Sequence, residues 1–325
     1  MGKLKLIMGF LLIGSLALIF SCKKKSESSG DNPSNGYRII QERDYANNVL
    51  QNSDDFSYSG SQLMEILAYM RGTKATADGK ITIEYNGGNI SKVSVFMNNN
   101  GTWLINEDAV VNSYTGSMPS ERIIKNYDSA GMTTYQVRYT DTYLNGQVSE
   151  EKSYSMQNGL WELYSRAAYT YNPQGQLQKI VMYSGTGSLQ TTTSYTWQNN
   201  LIVSEMRFAL DSLDRHKTTY DYSGTSLIKA SRSFYTNSTW YPTGTSDYAY
   251  NANGNLISQT DKSVPASVEY RLEFDYAAAR GNFRQLFIVM GVAELWNGAP
   301  DPMPAKSSVL PSSLLQSLLG RNASR

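Results

Sequence analysis

The sequence is short of the residue types on which most catalytic and metal chemistry rests. One Cys and one His stand among 325 residues. A zinc centre needs three or four protein ligands, so none can be built from Cys and His here. No disulfide can close within the chain. A Ser-His-Asp triad would have to use His216, and no Gly-x-Ser-x-Gly elbow accompanies it. Flanked by Asp211, Asp214 and Lys217, His216 reads as a solvated turn residue. Charge of one sign is missing too: 29 Lys and Arg against 28 Asp and Glu give +1, with the cations scattered among carboxylates, so no footprint for nucleic acid exists. Neither an EF-hand spacing nor a phosphate-binding Gly-rich loop is present, and no cofactor is expected. What the chain has in quantity is Tyr, with 24 against 9 Phe and 5 Trp, so its aromatic surface is apolar with a polar tip.

The one long apolar run lies at the start. Lys3 and Lys5 precede an uncharged stretch from Leu6 to Phe20, 15 residues long. That is short for a spanning helix and right for a signal core. It ends in Ile19-Phe20-Ser21-Cys22, which resembles a bacterial lipobox. Residues 1–22 are therefore expected to be a lipoprotein signal, with Cys22 the lipidated residue and the anchor to the outer membrane. Loss of Lys3 and Lys5 takes the side-chain charge from +1 to −1. Residues 23–36 have almost no apolar content and are expected to form a flexible tether. Lys23, Lys24 and Lys25 open it, where anionic headgroups would lie. The remainder, 37–325, is expected to be a single domain.

That remainder repeats itself. Four copies are plain: Tyr169-Thr-Tyr171-Asn-Pro-Gln-Gly175-Gln-Leu177, Tyr195-Thr-Trp197-Gln-Asn-Asn200-Leu201, Tyr220-Asp-Tyr222-Ser-Gly224-Thr-Ser-Leu227 and Tyr248-Ala-Tyr250-Asn-Ala-Asn-Gly254-Asn-Leu256. The second aromatic, or its equivalent, falls at 58, 85, 114, 143, 171, 197, 222, 250 and 276, at intervals of 27, 29, 29, 28, 26, 25, 28 and 26. Aromatics at i and i+2 share one face of a strand. Asn, Asp, Gly and Pro then reverse the chain, and an aliphatic residue restarts it. Return turns fall between the marks, at Gln157-Asn158-Gly159, Ser184 to Gly187, Asp211 to Arg215, and Tyr127-Asp-Ser-Ala-Gly131. Each unit thus holds two strands, and the fold class is all-β: an antiparallel meander of about 16 to 18 strands, curled into a barrel or a half-open shell. Leu63 to Met70 has helical spacing, but Tyr58-Ser-Gly60-Ser-Gln-Leu63 copies Tyr222-Ser-Gly224-Thr-Ser-Leu227, so a strand is expected. Ser312 to Leu319 reads as a short helix.

The unit Tyr-Asp/Asn-x-x-Gly-x-Leu, clearest in Tyr127-Asp-Ser-Ala-Gly131 and Tyr250-Asn-Ala-Asn-Gly254-Asn-Leu256, resembles the YD repeats of Rhs and teneurin-type shells. With the lipobox, the chain is similar to Bacteroidota lipoproteins of unknown function built from such units, over roughly residues 55–310. The resemblance implies a porin-like β fold and carries no catalytic residue.

Two functions follow as expectations. The first is a non-catalytic, lipid-anchored envelope module that binds or scaffolds a glycan, peptide, lipid or protein. Trp197, Trp240, Tyr171, Tyr222 and Tyr250 are its candidate stacking platforms. The alternative is a carboxylate-based hydrolase. The doublets Asp54-Asp55, Glu107-Asp108 and Glu150-Glu151 do not serve it alone, because neighbours on a strand point to opposite faces. Acids from different strands would have to meet.

Overall fold

The structure is a computed structural model and describes residues 38–70, 76–209, 215–252, 254–264 and 269–277. Every regular element in it is a strand: β1 (Arg38–Ala46), β2 (Val49–Ser59), β3 (Gln62–Met70), β4 (Gly79–Asn86), β5 (Asn89–Asn99), β6 (Thr102–Thr115), β7 (Met118–Tyr127), β8 (Thr133–Leu144) and β9 (Gln147–Gln157). The second half follows as β10 (Leu160–Tyr171), β11 (Leu177–Ser184), β12 (Leu189–Gln198), β13 (Leu201–Ala209), β14 (Arg215–Ser223), β15 (Ser226–Thr236), β16 (Thr239–Tyr250), β17 (Leu256–Ser263) and β18 (Glu269–Ala277). The segment 63–70 is strand, as its kinship with 227 onward requires. The signal, Cys22, the tether, the turn residues 211–214 and the segment 312–319 lie outside the described residues.

Each strand pairs antiparallel with the next, and β18 pairs with β1 from Arg38↔Ala277 to Ala46↔Tyr270. The meander therefore closes into an 18-strand barrel, and the half-open shell is excluded. Closure leaves no row of unpaired backbone groups.

Turn chemistry explains the regularity. At one end, belonging to the repeat's aromatic motif, hairpins turn through Gly87-Gly88 and Asn145-Gly146 with positive φ at both residues, or through Gly60 and Gly224 with positive φ at the first. Both are loops whose twist matches the strands. The motif Tyr-Asp/Asn-x-x-Gly builds a longer loop. Asn172 Oδ1 accepts from the amides of Gln174 (3.1 Å) and Gln176 (2.9 Å), and the Gly175 amide donates back to the Asn172 carbonyl (2.9 Å). Gly175 there has φ +79, a conformation that penalises a Cβ. Asp128 and Asn251 head loops of the same design.

Directly paired residues of antiparallel strands share a face. In β4 the positions Gly79, Ile81, Ile83 and Tyr85 point one way and Lys80, Thr82 and Glu84 the other, with Ile81 and Ile83 buried. The buried face of a closed sheet is its inner face. Ile39, Leu63, Ile66, Ile90, Leu177, Ile180, Ile202, Leu227 and Leu256 lie there, each at most 2% exposed, in clusters with the repeat's aromatics.

Candidate functional site

The inner wall begins with a belt. In every unit the second aromatic sits directly opposite the residue that restarts the next strand, as in Tyr171↔Leu177, Trp197↔Ile202, Tyr222↔Leu227 and Tyr250↔Leu256. From Tyr85 onward its polar atom turns the other way and donates to a backbone carbonyl of the preceding unit, whereas the buried Tyr58 hydroxyl finds no acceptor among the described residues. Tyr85 reaches Leu63 O (2.7 Å), Tyr114 reaches Ile90 O, Tyr143 reaches Pro119 O (2.6 Å) and Tyr171 reaches Val148 O (2.9 Å). Trp197 Nε1 reaches Leu177 O (2.7 Å), Tyr222 Ile202 O (2.9 Å), Tyr250 Leu227 O (2.9 Å) and Tyr276 Leu256 O (2.7 Å). A donor at the end of a flat ring is the shared requirement, which is why Trp replaces Tyr at 197. Four of the expected platforms, Trp197, Tyr171, Tyr222 and Tyr250, are thus half-buried parts of this belt.

Beyond the belt the inner wall carries acids among its apolar side chains. Each carboxylate doublet splits: Asp54, Glu107 and Glu151 point in with their paired neighbours Ala68, Val95 and Ala167, while Asp55, Asp108 and Glu150 point out. The inward acids meet partners from other strands. Glu42 pairs in register with Asp54, beside Asp44. Asp141 pairs with Glu151, and Arg122 bridges them at 2.6 and 2.9 Å. Glu205 accepts from the Tyr220 hydroxyl at 3.2 Å. Burial is the leading cause that raises these carboxyls, with the nearby Asp44 charge adding to Asp54. Asp54 reaches about 8, and Glu107, Glu151 and Glu205 about 7. No cluster of metal-ligating side chains occurs among the described residues.

The outer wall carries a different pattern. Near the return-turn end, Lys80 on β4 stacks over Phe96 on β5 and Trp103 on β6, its Nζ 5.2 and 4.7 Å from the ring centroids. Arg138 on β8 stacks in the same way over Tyr154 on β9 and Trp161 on β10, at 4.5 and 5.3 Å. Arg215 on β14 lies between Phe208 and Tyr235 at 5.4 and 5.2 Å, and Tyr235 packs on Trp240 at 5.1 Å. Arg166 covers Tyr183 at 4.5 Å. Trp103, Trp161 and Trp240 are each the second residue of their strand, straight after a tight turn. Trp240, the fifth expected platform, is therefore on the outside and 36% exposed. His216, near the start of β14, is exposed and packs on Phe234 with ring centroids 5.1 Å apart.

Comparison with known proteins gives likeness of shape. The chain is similar to a porin-like protein from Bacteroides uniformis, with 10% identity and a TM-score of 0.39 over 74% of this chain and 98% of that one. A porin-like protein from Bacteroides vulgatus matches at 10% identity and TM-score 0.40, with the same coverage. The TcdB2-TccC3-Cdc42 structure matches at 13% identity and TM-score 0.28, over 68% of this chain and 14% of that one. No protein-family model and no curated protein matches the chain.

The outer ladder was missed in the sequence, although a signal existed. Lys80, Phe96 and Trp103 have the same mutual spacing as Arg138, Tyr154 and Trp161, two units later. The repeat motif draws the eye to the inward positions, and the outward ones obey the same period.

Proposed function

We propose that the chain is a non-catalytic, lipid-anchored envelope barrel that binds an acidic glycan along its outer wall. The observation that carries this reading is the recurrence of one triad, a cation, an aromatic opposite it and a Trp after the next turn, on a rigid curved surface. A Trp or Tyr ring offers an apolar face to the C–H face of a sugar. The adjoining guanidinium or ammonium group pairs with a carboxylate or sulfate on it. Stations on β4 to β6, β8 to β10 and β13 to β16 suit an extended polymer better than a small molecule. The inner belt supports the same reading, because the donors of Trp197, Tyr171, Tyr222 and Tyr250 are committed to backbone carbonyls. The outer wall also bears Lys125, Arg138, Lys152, Arg166 and Lys179 along consecutive strands, which does not suit a lipid-spanning barrel.

Calorimetry with acidic and neutral oligosaccharides of equal length tests this. The acidic ligand should bind, and Trp103→Ala or Trp161→Ala should weaken it by about tenfold. No binding across the panel, or unchanged binding by both variants, would refute it. A second reading, the hydrolase, draws on the inward pairs Glu42↔Asp54 and Asp141↔Glu151 with their raised carboxyls. It requires turnover that Asp54→Asn or Glu151→Gln abolishes.

A further inference from the structure

The motif end of the barrel bears one bulge per unit. Opposite each belt aromatic the chain gains an extra residue: Tyr58 pairs with Leu63 and Ser57 with Glu65, so Met64 is left over. Such a residue is unpaired and is pushed off the ladder. Around the ring the bulged residues are Ile40, Met64, Ser91, Ser120, Ser149, Gln178, Val203, Ile228 and Ile257. They segregate. Val203, Ile228, Ile257, Ile40 and Met64 follow one another across the β18–β1 closure, while the four polar ones occupy the opposite arc. Ile40, Met64, Ile228 and Ile257 are 38 to 41% exposed. Strands lie about 4.8 Å apart, so five residues on alternate strands trace an arc of roughly 38 Å.

We infer that this arc docks on a lipid surface, so that the barrel leans on the membrane with its β13 to β3 side. Position argues for this occupant. β1 opens at Arg38 beside Ile40, and the 15 residues from 23 to 37 are all that separates it from Cys22. At about 3.4 Å per residue that chain spans at most about 50 Å, and it attaches at this rim, so an acylated Cys22 keeps this rim within that reach of the bilayer. In sequence the Lys23 to Lys25 run follows Cys22 directly, a composition that suits anionic headgroups. A row of single aliphatic side chains fits an interface that each enters shallowly. It leaves the ladder stations on β4 to β6 and β8 to β10 away from the docked arc, with the β13 to β16 station at the far end of the membrane-facing side. The inference rests on the anchoring part of the proposed function and not on the glycan.

Photo-crosslinking of the full chain in its own envelope tests it. p-Benzoylphenylalanine at position 228 or 257 should give adducts with lipid acyl chains, and at position 120 or 149 none. Equal lipid labelling on both arcs, no adducts at 228 and 257, or adducts there to residues 278–325, to a second copy or to another protein would each overturn it. The mass of the N-terminal peptide reports acylation of Cys22 separately, so a failed anchor is told apart from a failed dock. In the non-acylated chain, Ile228→Ser with Ile257→Ser should lower partitioning onto anionic vesicles about tenfold with no change in melting, and equal partitioning would contradict the docking.

Discussion

Replacing the belt tyrosines by Phe isolates the one interaction on which the repeat's regularity is built. Tyr85→Phe, Tyr171→Phe, Tyr222→Phe and Tyr250→Phe each remove a hydroxyl that donates to a carbonyl at 2.7, 2.9, 2.9 and 2.9 Å, and leave the ring in place. The carbonyl loses one of its partners in a half-buried site, and a net hydrogen bond of this kind is worth about 1 kcal/mol. Neighbouring belt rings sit two strands apart, about 10 Å, so the losses should add to within a few tenths. The fourfold variant should therefore lose about 4 kcal/mol, and each single variant about 1. Truncation to Ala would confuse the test, because lost packing alone costs about 3 to 5 kcal/mol. Urea unfolding followed by far-ultraviolet circular dichroism measures the difference, and the slope with denaturant should stay constant. A fourfold variant within 0.5 kcal/mol of the parent, a threshold below the about 1 kcal/mol of one bond, would refute the belt as a latch.

Three further outcomes follow. Arg122→Met leaves Asp141 and Glu151 facing each other without the cation that bridges them, and should cost about 3 to 5 kcal/mol in the same unfolding assay. Gly175→Ala places a Cβ at φ +79 and should cost about 1 to 2 kcal/mol, whereas Gly185, without a positive φ, would suffer from a clash with the Leu163 carbonyl at 1.9 Å instead. For pH, Asp54 at about 8 and Glu107, Glu151 and Glu205 at about 7 stand above their ordinary values. The folded chain then holds more protons than the unfolded one. Their contribution is complete below about pH 4 and is lost as pH rises through 7 to 8. Melting temperature should fall between pH 5 and 8, and Glu205→Gln should flatten that fall.

Much of the fold was legible because an aromatic pair followed by turn residues recurs at an even spacing. Two strands per unit gives the 16 to 18 strands expected: eight of the aromatic marks head hairpins from β2–β3 to β16–β17, and the ninth, Tyr276, lies on β18 opposite Ile39 of β1. Closure was not legible, since β1 lies before the first mark at 58 and carries no copy of the motif; only its pairing with β18 shows it. The splitting of the acid doublets followed from strand alternation, but the meetings of Glu42 with Asp54 and Asp141 with Glu151 depend on register. The role of Tyr171, Trp197, Tyr222 and Tyr250 was hidden for a similar reason. A ring at a patterned position reads as core or platform, and nothing local says that its donor reaches a carbonyl on the adjoining strand. The occurrence of Trp at 197 was the clue, because Phe would have served packing equally well.

Side-chain footprinting with hydroxyl radicals tests the functional account most directly. Adding an acidic oligosaccharide should protect Trp103, Trp161 and Trp240 on the outer wall and leave Trp197 on the inner belt unchanged. Protection of Trp197, or of none of the four, would contradict binding along the outer wall.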